Sequence, residues 1–528
     1  MQGLETAKNV LFAFARVSAH SGLALVVSLI VFVLINELIS YAKLGYYKRQ
    51  GIKTYYSPVQ GLIKLARPVF FKKSLEESPI SESEDLIAGN HFLSTEPHLL
   101  ITSPKLLSEF FLQETSNFTR FSMISSSDDI KSFIMDYTDS GMKMRGLFVD
   151  FFRMENINKI LPDIDAIFAE KLDELIDENW GGEGSRSTTE WKTLDLKPTI
   201  IKAFDEMVNV VFFGETDRDA IPKIDGKIYS VYVQEFFHKG IFSMRKPLNI
   251  LTKHFFFLNK LNSDGREFEN MRLRMQKEMG KFYRKRLVAS QEKGLGNNLM
   301  DILIKRDQEM INKGKPDGVF SAKIMANTTR AFYIAGYDTS KGNSSIGLSW
   351  LSRNQELQSK LRDAFKSLAT STETDFFDFN SSDFVNNFVM ENLRRFGPVQ
   401  KTLPRRCLKT CKLGKYTIKK GTTVELDLGR IHTKTDPFKE PFEFNPGRFE
   451  NLSMRDMRRK SQFLPFSAGR RSCIGQYLGE CVIKIVLKTV LERFELRVPE
   501  DRIGKDLSLR LGFTLDVVDL KLKLRLIK

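Results

Sequence analysis

One cysteine-containing segment constrains this chain more than any other: residues 466–475 read Phe-Ser-Ala-Gly-Arg-Arg-Ser-Cys-Ile-Gly. Cys473 has a glycine four residues before it and another two residues after it, and glycine adopts the tight, positive-φ turns that let a backbone approach a large flat group. An apolar pattern with helical spacing begins directly after the cysteine, and a helix N-terminus favours a thiolate. Arg471 can pair with a carboxylate through two hydrogen bonds. These features suit a haem iron and its propionates; the alternative is a loop with a buried free cysteine.

The segment resembles the haem-binding loop of the cytochrome P450 family, FxxGxRxCxG, with every specified position filled. The resemblance implies that Cys473 is the axial thiolate ligand of the iron in haem b and that Phe466 packs beside the sulfur. It assigns Gly469, Arg471 and Gly475 to the same haem-binding loop. Thiolate ligation pushes electron density onto the iron and favours cleavage of an O–O bond.

A second pattern pairs Glu391 with Arg394. Their i, i+3 spacing places both charges on one helical face, and by itself it indicates a solvated surface pair. Residues 391–399, however, resemble the ExxR helix of the same family, and residues 444–449 resemble its partner segment. The resemblance implies a buried structural triad of Glu391, Arg394 and Arg448 that supports the haem loop, because a buried carboxylate needs such partners.

A third pattern, Ala-Gly-Tyr-Asp-Thr-Ser at 335–340, lies inside a predicted long helix. Glycine and threonine weaken a helical hydrogen-bond ladder, so we expect a local opening here; the alternative is close packing of small residues between helices. The hexapeptide resembles the family motif [AG]GxDT. The resemblance implies that Asp338 and Thr339 relay protons toward the oxygen-binding side of the haem, and that Ala335 and Gly336 face the haem.

A weaker match concerns a haem propionate. Arg405 precedes Gly421 by sixteen residues, a spacing similar to that of the family segment in which an arginine contacts a propionate. Arg406 is the competing choice, and a plain surface arginine is the alternative.

The sequence departs from the family at one motif. Members usually carry WxxxR in an earlier helix, where both residues contact a propionate, but Met144 and Phe148 stand at the corresponding positions. Lys143 or Arg145 is then the candidate replacement for that contact.

The N-terminal part contains an apolar stretch. Residues 22–42 carry Glu37 as their only charge, and these 21 residues match the ~20 needed to span a bilayer. They predict a single-pass transmembrane anchor; a buried helix or a signal peptide is the alternative, although no small-residue cleavage pattern follows. Cations are more frequent after the stretch than before it, which predicts that the C-terminal side is cytosolic. The predicted division is a tail over 1–21, an anchor over 22–42, a linker over 43–70 and a haem-thiolate monooxygenase domain over 71–528.

The remaining pattern predicts a mainly α protein with small β-sheets, which by resemblance is one large catalytic domain with the cytochrome P450 fold. Predicted helices cover about 163–176, 322–354, about 384–396 and the residues after 473, and predicted short strands cover 415–418 and 422–426. Four cysteines in 528 residues are too few for a disulfide scaffold, and no zinc-type spacing occurs. The net charge of +16 suits an acidic partner or an anionic lipid surface, whereas dispersed cations without a recognition motif argue against nucleic acid.

These features together predict a monooxygenase at the endoplasmic reticulum membrane, with its catalytic domain in the cytosol. It would insert one oxygen atom of O2 into a lipophilic substrate, with NADPH electrons delivered by NADPH-cytochrome P450 reductase and with cytochrome b5 as a second candidate donor. By resemblance, the substrate pocket includes Val399, Leu403 and Phe513, together with the region 121–133. The alternatives are a haem-thiolate isomerase or dehydratase acting on an oxidised lipid, and a non-catalytic haem-binding member of the family.

Overall fold

The structure is a computed structural model of the chain. It describes residues 22–55, 85–89, 96–120, 145–146, 148–182, 187–214, 223–229, 231–233, 235, 263–296, 298–314, 322–368, 378–379, 381–402, 404–511 and 514–527.

Helices account for most of the described chain. In chain order they are α1 (Gly22–Lys48), α2 (Pro104–Asn117), α3 (Met154–Asn158), α4 (Leu161–Trp180), α5 (Lys197–Phe213), α6 (Ser263–Lys293), α7 (Leu299–Asn312), α8 (Ala322–Leu351), α9 (Gln355–Lys366), α10 (Asp383–Phe396), α11 (Leu428–His432), α12 (Met454–Arg459) and α13 (Gln476–Arg493). Short 3₁₀ helices cover Pro446–Phe449, Gly469–Arg471 and Glu500–Arg502.

The strands are short. They are β1 (Lys53–Tyr55), β2 (Leu86–Gly89), β3 (His98–Ile101), β4 (Phe118–Arg120), β5 (Trp191–Asp195), β6 (Lys223–Ile224), β7 (Lys227–Ile228), β8 (Arg405–Cys407), β9 (Cys411–Leu413), β10 (Tyr416–Ile418), β11 (Thr423–Leu426), β12 (Phe494–Arg497), β13 (Leu509–Leu511), β14 (Leu515–Val517) and β15 (Lys521–Leu526). The mainly α class with small sheets is therefore confirmed.

Helix α8 is the centre of the helical part. It packs against α5, α6, α10 and α13, and the strand β14 lies along it. The contact with β14 is close at Gly342, where an added Cβ would lie 2.4 Å from the carbonyl oxygen of Leu515. The apolar sides of these helices form the larger core.

A mixed sheet forms the second core. Its strand order is β1-β2-β3-β11-β8-β4, with β11 parallel to β3 and antiparallel to β8. Buried side chains of the inner strands, such as Leu99 and Val424, pack against α2 and the end of α1. This sheet carries Arg405 at the start of β8 and leads through β11 to α11.

Residue preferences explain the ends of the helices that carry the predicted motifs. Helix α10 begins after Ser382, whose hydroxyl accepts a hydrogen bond from the backbone N–H of Val385, and it ends before Gly397 and Pro398. Helix α8 begins at Ala322 and α13 begins just after Gly475. The predicted helices and the two predicted strands are confirmed with small shifts of their ends.

The N-terminal helix differs in extent from the predicted anchor. Helix α1 runs without interruption to Lys48, so the first residues of the segment 43–70 are helical, and Leu44 and Tyr47 are buried against the sheet. Tyr47 also shares a 2.6 Å hydrogen bond with the hydroxyl of Thr422. Within the described residues, no helix meets both the length and the hydropathy needed to cross a bilayer.

Candidate functional site

The loop before α13 carries Cys473. The thiol is exposed and not in a disulfide, and its own backbone N–H donates a 2.8 Å hydrogen bond to the carbonyl oxygen of Phe466. This bond closes the loop into a hairpin-like turn around residues 466–473. Gly469 has φ of +73°, which only glycine adopts without strain, so the predicted need for glycine at this position is met by the backbone.

The loop and the centre of α8 come together at one point on α13. A Cβ added at Gly479 would lie 3.8 Å from the ring of Phe466 and 3.8 Å from the hydroxyl of Ser340. Ser340 directly follows Thr339. The aromatic residue of the cysteine loop and the residue after the predicted proton-relay pair therefore meet on one side of α13, at Gly479.

The predicted triad forms a network that is closed to solvent. Arg394 donates to both carboxylate oxygens of Glu391, at 2.7 and 2.9 Å, and neither side chain is exposed. Arg448 donates to the same carboxylate at 3.1 Å, and the backbone N–H of Asn445 donates to it at 2.8 Å. Arg394 also donates to the carbonyl oxygen of His432 at 2.8 Å. The charge is thus paired and the lone pairs are used, which a buried carboxylate requires.

His432 is a site residue that the motifs did not indicate. Its ring nitrogen Nε2 accepts a hydrogen bond from the backbone N–H of Leu464, two residues before the cysteine loop begins. Burial, with a smaller contribution from Arg394, lowers the pKa of His432 to about 3. The ring is therefore neutral at physiological pH, as an acceptor must be. The signal in the sequence was a histidine shortly before the partner segment, and the structure places it at the end of α11.

The predicted relay segment lies in regular helix. Thr339 donates from its hydroxyl to the carbonyl oxygen of Ala335 at 2.5 Å, and Asp338 lies 3.3 Å from the ammonium of Lys341. Helix α8 continues through this segment, and the threonine hydroxyl bonds the i−4 carbonyl, a contact that often bends a helix. The expected local opening stays a prediction. Ala335 and Gly336 are exposed, and among the described residues no atom lies within 4 Å of a Cβ added at Gly336.

The two candidate arginines on β8 point to opposite faces of the sheet, because side chains alternate along a strand. Arg405 is buried, with 3% of its surface exposed. Arg406 is partly exposed and its Nε donates to the carbonyl oxygen of Gly421 at 3.5 Å. This geometry favours Arg405 as the inward-facing cation, and its contact with a propionate stays a prediction.

At the positions where the family carries WxxxR, the structure describes Phe148 and the nearby Arg145. Phe148 is fully buried and packs edge-on against the ring of Phe332 on α8, with centroids 5.1 Å apart. It therefore belongs to the aromatic core. Arg145, in contrast, donates to the backbone carbonyl oxygen of Ser472 at 2.7 Å. Lys143 and Met144 lie outside the described residues.

The predicted substrate pocket is only partly described. Val399 is half-buried after α10, close to Pro398, whose carbonyl oxygen accepts a hydrogen bond from the N–H of Leu515. Leu403, Phe513 and the region 121–133 lie outside the described residues. Their role in the pocket stays a prediction.

These residues fit a haem group. The donor set is a single exposed thiol beside a helix N-terminus, which is a ligand for a soft or redox metal and not for a structural zinc site. Gly469 and Gly475 keep the backbone around it free of side chains, and an added Cβ at Gly475 would lie 3.5 Å from the ring of Phe152. Within the described part of the chain, no cluster of three or more acidic, histidine or cysteine side chains offers an alternative metal site.

A mainly helical domain with a cysteine loop backed by a long helix and a buried Glu-Arg-Arg network defines a haem-thiolate protein. The family model described as "Cytochrome P450" matches residues 89–524. The chain belongs to the cytochrome P450 family, and membership implies haem b as its cofactor.

Individual relatives are distant. Cytochrome P450 72C1 of Arabidopsis thaliana is 26% identical over 67% of this chain and 66% of its own length. Dolabradiene monooxygenase of Zea mays is 29% identical over 48% of this chain and 50% of its own length. The chain thus spans at most about two thirds of these relatives. Among solved structures, the retinoic acid-bound cyanobacterial CYP120A1 superposes with a TM-score of 0.68 at 16% identity, covering 87% of this chain and 95% of its own, which supports the shared fold.

Proposed function

We propose that this protein is a monooxygenase that inserts one oxygen atom of O2 into a lipophilic substrate. The observation that carries the proposal is the accessible thiol of Cys473, which lies on a loop that meets α8 next to the Asp338–Thr339 segment, at Gly479 of α13. Haem b, when bound, would supply the oxygen activation and the insertion chemistry. The names of relatives such as dolabradiene monooxygenase support the same reaction class.

The chain's own residues have distinct roles in this proposal. Cys473 provides the sulfur ligand, and Phe466 shields it from water. Thr339 holds a proton on its hydroxyl at the exposed side of α8, and Asp338 can exchange protons with solvent beside Lys341. The network of Glu391 and its two arginines keeps the cysteine loop in place and takes no part in proton transfer.

The net charge of the chain and the apolar side chains of α1 indicate the electron donor and the membrane as partners. We infer that electrons come from NADPH through NADPH-cytochrome P450 reductase, with cytochrome b5 as a second candidate donor, since a net charge of +16 favours an acidic partner. Membrane attachment at the endoplasmic reticulum is supported by the apolar segment 22–42 and by exposed apolar side chains on α1, such as Leu34 and Leu38, each 57% exposed. The substrate is lipophilic, and nothing narrows its class further.

The test is the carbon monoxide difference spectrum of the reduced, purified protein. A strongly red-shifted Soret band is expected for the wild type and is expected to disappear in Cys473→Ser. Cys411→Ser is the matched control, because Cys411 is also partly accessible but lies on β9. A wild type without this band, or a Cys473→Ser protein that keeps it, contradicts the proposal. Turnover that requires neither O2 nor reductase would favour an isomerase or dehydratase instead.

A further inference from the structure

Arg145 contacts the backbone of the cysteine loop from a distant part of the chain. Its Nη2 donates a 2.7 Å hydrogen bond to the carbonyl oxygen of Ser472, the residue directly before Cys473. A short hydrogen bond from a charged donor is about twice as strong as one between neutral groups. The contact therefore fixes the peptide unit that leads into Cys473.

The charge of this guanidinium lies in a partly desolvated position. Burial lowers the pKa of Arg145, and the charge of Cys473 acts in the opposite direction. Arginine stays protonated in proteins even when it is buried. Because solvent screens the side chain only in part, its field at the sulfur is stronger than that of an exposed cation.

Two phenylalanines near Arg145 pack on α8. The rings of Phe148 and Phe152 lie 5.1 and 5.3 Å from the ring of Phe332. Phe152 also lies next to Gly475. Among the described residues of this segment, Arg145 is a cation that binds the backbone next to the ligand.

We propose that Arg145 is a positioning residue for Cys473, holding the Ser472 carbonyl through its hydrogen bond and making bound haem easier to reduce through its positive charge. The proposal rests on the proposed haem-thiolate function. A cation near the sulfur stabilises the form that carries one more electron, so removal of the charge disfavours reduction.

Two substitutions test the hydrogen bond to Ser472 and the positive charge separately. Arg145→Gln keeps an N–H donor for the Ser472 carbonyl but removes the charge, whereas Arg145→Lys keeps the charge with a single donor group. Arg470→Gln is the matched control, because Arg470 is a cation in the same loop but is exposed. The readout is the haem midpoint potential of the purified holoprotein, measured by spectroelectrochemical titration without substrate.

For Arg145→Gln, the ratio of reduced to oxidised haem at a fixed potential is expected to fall about tenfold, which corresponds to ~59 mV for one electron. Arg145→Lys is expected to lie near the wild type, and Arg470→Gln is expected to change the ratio by less than about twofold. A wild-type potential for Arg145→Gln, or an equal shift for Arg470→Gln, overturns the proposal. If Arg145→Gln retains no haem, the test uses Arg145→Lys. A tenfold fall in the ratio of reduced to oxidised haem in this variant, which keeps the charge, would contradict the electrostatic role. A wild type that lacks the thiolate-type spectrum would contradict the proposed function itself, which is a different result.

Discussion

The ring nitrogen Nε2 of His432 accepts a 2.9 Å hydrogen bond from the backbone N–H of Leu464. The backbone carbonyl oxygen of the same histidine accepts a hydrogen bond from Arg394. Further along, the carbonyl oxygen of Leu464 accepts from the N–H of Ser467 at the start of the cysteine loop. These hydrogen bonds, together with the backbone and side chain of His432, connect the Glu391 network to the loop of Cys473.

The neutral state of His432 predicts a pH dependence of stability. The folded pKa of about 3 lies below the value of ~6.5 in an unfolded chain, so the unfolded state binds more protons between these values. The stabilisation is fully present above pH ~6.5 and is lost as pH falls toward 3, at up to ~1.4 kcal/mol per pH unit. His432→Phe should remove this part of the slope and cost ~1–3 kcal/mol at pH 7, because Leu464 N–H loses its acceptor. Urea unfolding at pH 7 and pH 5 measures both effects, and equal slopes in the two proteins would contradict the prediction.

The Glu391 network should be far more sensitive than a surface pair. Glu391→Gln leaves Arg394 and Arg448 without a compensating charge, and breaking such a buried network costs ~3–5 kcal/mol. Glu356→Gln is the control, because Glu356 forms an exposed i, i+4 pair with Lys360 and should unfold like the wild type. Thermal unfolding and haem content together measure the difference. Similar losses of stability and haem content in both variants would mean that the buried network contributes no more than an exposed ion pair.

Two helical glycines should respond in opposite ways to alanine. At Gly342 the new Cβ would meet the carbonyl oxygen of Leu515 at 2.4 Å, so helix and strand must separate, at a cost of ~1–3 kcal/mol. At Gly45 on α1 the new Cβ would lie 3.8 Å from the flexible side chain of Arg49, an ordinary contact, so Gly45→Ala should gain up to ~1 kcal/mol of helix propensity. The measurement is the free energy of unfolding of each variant and of the wild type. A stabilised Gly342→Ala protein would show that β14 does not lie against α8 as described.

The hydroxyl of Thr339 should control how much of the NADPH consumed yields product. Thr339→Ala removes a proton donor at the exposed side of α8, and more of the NADPH consumed should then yield hydrogen peroxide in place of product. Thr339→Ser keeps the hydroxyl and its bond to Ala335, and should stay close to wild type. Peroxide, product and NADPH are quantified together with reductase. Unchanged coupling in Thr339→Ala would remove Thr339 from the relay.

Truncation should separate membrane attachment from folding. Deletion of residues 1–36 removes most of the apolar segment but keeps Ile39, which is fully buried. The truncated protein should fold, bind haem and leave the membrane fraction at least in part. Centrifugal fractionation after mild salt washing measures this, and an unchanged membrane fraction would mean that other surfaces anchor the protein.

The sequence motifs predicted the residues whose roles depend on their near neighbours in the sequence. Cys473 and Gly469 follow from the geometry of a tight loop, and the association of Glu391 with Arg394 and Arg448 follows from a spacing that the family resemblance interprets. Helix ends were predictable where a capping residue such as Ser382 is present.

The remaining site residues depend on contacts between distant segments. The bonds from Arg145 to Ser472 and from His432 to Leu464 join residues 327 and 32 positions apart, and no local pattern encodes such pairings. The contact of Thr339 with the carbonyl oxygen of Ala335 could be expected from the sequence, because a threonine hydroxyl within a helix often bonds the carbonyl four residues before it.

Helix α1 ends in a firm connection to the sheet. Tyr47 bonds Thr422, and the side-chain amide of Gln50 both donates to and accepts from the backbone of Thr417. Because the helix runs from Gly22 to this junction without a break, it forms a rod of about 40 Å. A change in its tilt would therefore act directly on the sheet that carries Arg405.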